Sequence, residues 1–276
     1  MLYLKHLIWK IMKSKLEFFK IYKKMFLSNL MQQMEYKADF IMRSTFELAI
    51  VLSNYILYVI LYSNVDIIGG WTKEQAIMLT MVSALLDCII TLFFVGGLFK
   101  LPEMINTGSL DFLLLKPINK RAYISFSELT VSQVPNFFIE LGILMYCIIS
   151  SKEYVSVESV LLFVLLMINS ILILYSILFA IMCISFWTIK FDIGLNMFFQ
   201  LYYIGNKPMN VYPVLVQKIF TFIIPLGVAF NVPVLAVFKS IKMEKVLMSF
   251  VIAVIFFAIS DIIFKKGLKK YVSASS

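Results

Sequence analysis

The chain has 276 residues, of which 61% are hydrophobic and 15% charged, with a mean hydropathy of +0.91. Soluble domains run at about 45–50% apolar and about 25% charged, so a soluble enzyme, a secreted mini-protein and a disordered tail are excluded in favour of a membrane-embedded chain. The net charge is +9, and the excess of Lys and Arg sits at the two ends.

The first 43 residues hold nine basic side chains (Lys5, Lys10, Lys13, Lys15, Lys20, Lys23, Lys24, Lys37 and Arg43) against Glu17, Glu35 and Asp39. Such flanks mark a cytoplasmic side by the positive-inside bias and attract anionic lipid head groups, a better reading than nucleic acid. The basic start is not followed by a compact apolar run and a small-residue cleavage site, so no cleavable signal peptide is expected. Within this segment, Leu16 to Phe40 places Leu16, Phe19, Phe26, Leu30 and Met34 at helical spacing, with Lys15, Lys20, Lys23 and Lys24 elsewhere. That pattern predicts an amphipathic helix lying on the cytoplasmic leaflet.

Seven apolar stretches follow: Ser44 to Ser63, Gln75 to Phe99, Leu129 to Ser150, Ser159 to Trp187, Ile193 to Asn206, Val214 to Phe238 and Val246 to Phe264. At about 1.5 Å per residue most of them reach across a hydrocarbon core of about 30 Å. The tail again carries Lys265, Lys266, Lys269 and Lys270. With both basic ends cytoplasmic the number of complete crossings must be even, so one stretch enters without crossing. Val214 to Phe238 is the choice, because Lys218, Pro225, Asn231 and Pro233 interrupt it. Broken backbone at membrane depth is tolerated where protein or a wet cavity satisfies it, so a re-entrant hairpin within an external segment 207–245 is expected. Lys207 and Lys242 then lie outside, and Lys116 and Lys269 inside. The organisation is a connecting helix in 1–43, a six-span domain in 44–270 and a short tail, 271–276.

The one long polar stretch between spans is 100–128, with Lys100, Lys116, Lys120 and Arg121, as a cytoplasmic loop requires. Leu101 to Asn106 reads as a short helix ended by Gly108 in a left-handed conformation, and Asp111 to Leu115 with Lys116-Pro117 leads into the next element.

Catalytic chemistry is missing from the sequence. No G-x-x-x-x-G-K-[ST] loop occurs, and Gly96-Gly97 lacks the spacing of one, so the chain is not expected to hydrolyse nucleotide. His6 is the only histidine, so a Ser-His-Asp triad, a metal centre and a histidine proton relay have no partner for it. Cys88, Cys147 and Cys183 lie in apolar blocks without paired spacing and read as small packing residues. The informative polar residues are those inside spans: Asn54, Asp87 and Glu140 near the centres of the first three, and Asn169 off centre in the fourth. An ionisable group at that depth must face protein or a cavity. Asp87 and Glu140 either line a path, attracting a cation or carrying protons, or join helices as hydrogen-bonded groups. Asp261, near a span end, reads as interfacial.

Three passages carry a family resemblance. Met34-Glu35-Tyr36-Lys37-Ala38-Asp39-Phe40 is similar to a Tyr-Arg-Ala-Asp-Phe segment, with Lys37 in place of Arg. Gly108-Ser109-Leu110-Asp111-Phe112-Leu113-Leu114-Leu115-Lys116-Pro117-Ile118-Asn119 is similar to a Gly-x-Leu-Asp-x-x-Leu-x-[Lys/Arg]-Pro-x-Asn stretch, the most specific of the three. Tyr212-Pro213, then Phe222 to Phe230 and Pro233, is similar to a re-entrant external segment. By these the chain resembles, over nearly its whole length, the membrane-spanning subunits of bacterial ATP-binding-cassette exporters of the type-2 permease class.

The resemblance implies an all-α polytopic membrane protein of six transmembrane helices, with an N-terminal connecting helix, a coupling helix in the loop after span two and external re-entrant helices between spans five and six. It implies residence in the bacterial inner or cytoplasmic membrane, pairing with a second copy or a paralogous permease, and two separate ATPase subunits beneath. ATP and Mg would belong to those partners, and no cofactor, metal or catalytic residue is expected on this chain. The expected coupling interface is Leu101, Pro102, Glu103, Met104, Ile105 and Asn106, and the expected substrate path contains Asn54, Asp87 and Glu140. Export of a drug, peptide, lipid or other small molecule is the leading function. An ion- or proton-coupled secondary transporter and a membrane anchor without transport are the alternatives.

Overall fold

The computed structural model describes residues 27, 28, 31, 37–150, 157–188, 191, 193–238 and 241–271. The expected surface helix over Leu16 to Phe40, and with it Met34 to Tyr36 of the first resembling passage, lies almost wholly outside these residues. The described chain is helical apart from one two-stranded hairpin.

Helix α1 (Lys37–Leu61) leads into strands β1 (Ile67–Ile68) and β2 (Trp71–Thr72), paired antiparallel with Ile68 opposite Trp71. The two-residue turn needs positive φ at both positions, which Gly69 (58°) and Gly70 (79°) supply without strain. Thr72 then caps α2 (Lys73–Ile90): its Oγ1 accepts from the Gln75 amide, and the Gln75 side chain accepts from the Thr72 amide. This reciprocal box satisfies two of the helix's orphan donors and fixes where the second span begins. The helix axis continues through a π turn (Thr91–Val95), α3 (Gly96–Phe99) and α4 (Leu101–Asn106), a run of 34 residues.

Gly108, at φ 74°, stops that run as the sequence predicts. Two short helices follow, α5 (Leu110–Leu114) and α6 (Lys120–Phe126), the second capped by the Asn119 side chain on the Ala122 amide. Next come α7 (Val134–Ser150), α8 (Val157–Cys183) and α9 (Gly194–Gly205). Then α10 (Val214–Lys218) runs through a π turn (Ile219–Ile223) to a break at Pro225, α11 (Leu226–Val237) follows, and α12 (Met243–Lys270) ends the described chain.

Among the described residues, four helical runs are long and apolar enough to cross a membrane: Lys73–Asn106, Val131–Ser150, Glu158–Phe186 and Met243–Lys270. Six full-length spans are therefore not what helix length alone gives. In α1 the apolar described part is Leu48–Leu61. The expected fifth span is a helix of 12 residues, about 18 Å at about 1.5 Å each, too short for a core of about 30 Å. The arms Val214–Ile223 and Leu226–Val237 meet at 94°.

The core sits where α8 meets α11 and α12. Helix α11 is buried along almost its whole length, which explains a sequence apolar on every side. Pro233 lies inside it and has no amide hydrogen for the Ala229 carbonyl one turn earlier. The Ser170 hydroxyl of α8 donates to that freed carbonyl at 2.6 Å. The substitute bond keeps that buried backbone group satisfied away from water.

Candidate functional site

A cavity of about 270 Å³ opens between α1, α2, α7 and the end of α9. Its lining includes Asn54, Asp87 and Glu140, so three polar residues singled out on three different helices face one space. Glu140 is 2% exposed. Asp87 is half-buried, one helical turn beyond Ser83, which also lines the space. Asn54 donates its amide to the Ile50 carbonyl of its own helix at 3.0 Å, leaving its side-chain oxygen for another donor.

The opposite wall is aromatic: Phe199, Tyr202 and Tyr203 of α9. Tyr202 is 2% exposed and donates its hydroxyl to the Ser83 carbonyl of α2, while its ring meets Phe230 of α11 edge-on at 4.7 Å. A buried phenol with a satisfied hydroxyl pins α9 to α2, and so sets the height at which the short helix stops. Past that end, Asn231 of α11 accepts from the Met209 amide at 3.0 Å and donates to the Lys207 carbonyl at 3.2 Å. The neighbouring Asn206 and Lys207 line the cavity. The Asn206 side-chain oxygen is buried with no hydrogen-bond donor among the described residues. Burial holds the Lys207 ammonium below the usual lysine value.

The site thus combines two acids, two amides, a half-buried ammonium and three aromatic rings. That set can hold a cation through carboxylate and ring face, or a molecule bearing both charges. The π turn Thr91–Val95 starts at the same wall, where Thr91 contributes to the lining. Such turns recur where a helix is locally opened for function.

Sequence reasoning missed Gln133 and Asn136. Both are buried, at 4% and 1%, and with Glu140 they fall at intervals of three and four along the helical run Val131–Ser150. The Asn136 amide donates to the Gln133 side chain at 3.3 Å, and the Gln133 carbonyl accepts from the Cys88 thiol of α2 at 3.4 Å. The signal was a polar stripe of helical period at the start of an apolar block. Lys207, read only as a marker of the outer side, is also a cavity residue. Asn169 lies elsewhere, donating to Ser249 at 3.4 Å and joining α8 to α12. Asp261 accepts from Lys265 at 2.6 Å and stands 3.5 Å from Arg121.

The residues expected to couple to a partner divide in two. Leu101 is fully buried and Pro102 is buried, so they pack the end of the long second helix. Glu103 and Asn106 are exposed, and Met104 and Ile105 half-buried. Beyond them Phe112 and Leu115 are exposed at 72% and 84%, while their neighbours Leu110 and Leu113 are buried. Gly96 and Gly97, set aside as a phosphate loop, have a packing role: a Cβ on Gly97 would collide with the Ile124 carbonyl of α6.

No curated protein and no solved structure matches the chain. The model of a family described as ABC-2 family transporter protein matches residues 48–275, from the middle of α1 through α12, and takes in every wall of the cavity. The chain belongs to the ABC-2 transporter family, as a multi-pass permease subunit.

Proposed function

We propose that this chain forms the substrate path of an exporter driven by a separate ATPase. The observation that carries the reading is the convergence of Asn54, Asp87 and Glu140 on one cavity in a chain of this family. Charged side chains inside a membrane face protein or water, and two acids from two spans at one space favour a path over a pair of unrelated contacts. A cationic or cation-bearing drug, peptide or lipid is the cargo that this lining suits.

Two copies, or this chain and a paralogous permease, enclose the path, with the mouth between α1 and α9 turned toward the partner. Ile50 and Tyr203 at that mouth are 51% and 55% exposed. Two ATPase subunits dock at the cytoplasmic loop through Glu103, Asn106, Phe112 and Leu115, carrying the ATP and Mg for which this sequence has no phosphate loop. Both ends of the chain lie in the cytoplasm of a bacterial cell. The arms Val214–Ile223 and Leu226–Val237 enter from outside and return, a reading supported by their 94° bend and by Phe238 lying at one hollow with Glu74 and Ser150, near the ends of α2 and α7.

The testing experiment is co-purification with the companion ATPase, followed by ATP-dependent export from proteoliposomes. An ion- or proton-coupled transporter is the second reading, favoured by the same two acids and the broken helix. It predicts transport that follows an ion gradient with the ATPase absent.

A further inference from the structure

Arg121 belongs to the cytoplasmic loop by sequence, yet it is only 8% exposed. From α6 it reaches between α8 and α12. Its Nε donates to the Tyr175 hydroxyl at 3.0 Å, its Nη2 to the Ser260 hydroxyl at 2.8 Å and its Nη1 to the Phe257 carbonyl at 3.4 Å. Asp261 Oδ1 lies 3.5 Å from Nη1, and the guanidinium carbon stands 4.0 Å and 4.4 Å from the Phe257 and Phe179 ring centres. The Tyr175 hydroxyl is also 2.7 Å from Ser125 of α6, which doubles the tie.

The loop is fastened equally firmly to the second span. Gly97 lets the backbones of α3 and α6 touch, and Lys100 pairs with Glu128 at 2.6 Å. Helix α6 is therefore joined to α3, α8 and α12 at once. A buried guanidinium is costly to desolvate, and a well-packed apolar residue could fill the same space as stably. A planar fork with several directed bonds supplies direction, which apolar packing and a lysine do not.

We propose that Arg121 is a positioning residue that locks the coupling loop to α8 and α12, so that a push from a docked ATPase moves these helices instead of being absorbed by the loop. The proposal rests on the permease reading above. It requires that loosening this one fork uncouple the cavity from the ATPase while leaving docking intact.

The test uses the permease–ATPase complex in proteoliposomes, in a background with the three cysteines replaced and Tyr203→Cys as a reporter at the cavity mouth. The readout is the change in its labelling rate by a maleimide when the ATPase is trapped with ATP and vanadate. Arg121→Gln should abolish the change, with the ATPase still bound and hydrolysing ATP, and Arg121→Lys should restore only part of it. Tyr175→Phe combined with Ser260→Ala removes two partners and leaves the arginine in place; it should also weaken the response, and it decides the matter if Arg121→Gln does not accumulate. A wild-type response in the double variant, or in an assembled Arg121→Gln complex, overturns the proposal. Absence of any response in the parent complex would instead refute the permease reading beneath it.

Discussion

Asn231→Leu removes the clasp that holds the end of α9 to α11. The side chain answers two backbone groups, the Met209 amide at 3.0 Å and the Lys207 carbonyl at 3.2 Å, and Met209 is only 9% exposed. Leucine keeps the branched outline and the number of side-chain heavy atoms and leaves no cavity, so lost packing contributes little. Each orphaned buried group costs about 1–3 kcal/mol, and two together about 2–6 kcal/mol, less whatever water entering from the cavity restores. The assay is equilibrium unfolding in mixed micelles, with tryptic accessibility of Lys207 as the local probe. A leucine variant within about 0.5 kcal/mol of wild type, the range of an ordinary surface change, would refute the view that Asn231 sets the end of α9.

Three further outcomes are expected. Asp87→Asn keeps shape and hydrogen-bonding capacity, so it should assemble normally yet lower export of a cationic cargo by about tenfold, the effect of losing roughly 1.4 kcal/mol of charge attraction; wild-type export of a cation known to be carried would reject the path role. Glu103→Lys, and separately Leu115→Ser, should weaken ATPase pull-down without changing membrane insertion, and unchanged pull-down by both would move the docking site off this loop. A cysteine at position 242 should react with an impermeant maleimide from outside and one at position 116 only from inside; exclusive cytoplasmic reaction at 242 would turn the bent pair into a full span.

What was legible in the sequence was what composition and turn chemistry control. The long apolar runs became α2, α7, α8 and α12, and the stop at Gly108 and the helix Leu101–Asn106 fell where spacing put them. The broken character of Val214–Phe238 was equally plain from Pro225, because a missing amide interrupts a helix whatever surrounds it. Asn54, Asp87 and Glu140 could be chosen because a charge or amide in an apolar run is conspicuous. Their meeting at one cavity depended on the rotation of three helices, which tertiary contact decides. Arg121 was invisible for the opposite reason. In a polar loop an arginine looks ordinary, and only the fold carries it between Phe179 and Phe257. The shortness of α9 was visible in length, but what holds its end came from Tyr202 and Asn231, residues from elements far apart in sequence.

Because α9 stops after 12 residues and its Tyr202 hydroxyl meets the Ser83 carbonyl, the cavity beside its end reaches Ser83 and Asp87, well inside α2 and not at its first turn. Filled with water, a cavity reaching that far would shorten the insulating layer. The membrane voltage would then fall over a thinner septum, with a correspondingly steeper field there. Moving one charge through the full voltage costs about 2.3 kcal/mol per 100 mV. On the proposed path, a cation held between Asp87 and Glu140 would stand partway along that electrical distance, and the work of lifting it out of a negatively charged cell would be divided into two smaller steps. The truncated helix would then make the protein a two-stage lift for charge, with the carboxylates as its landing.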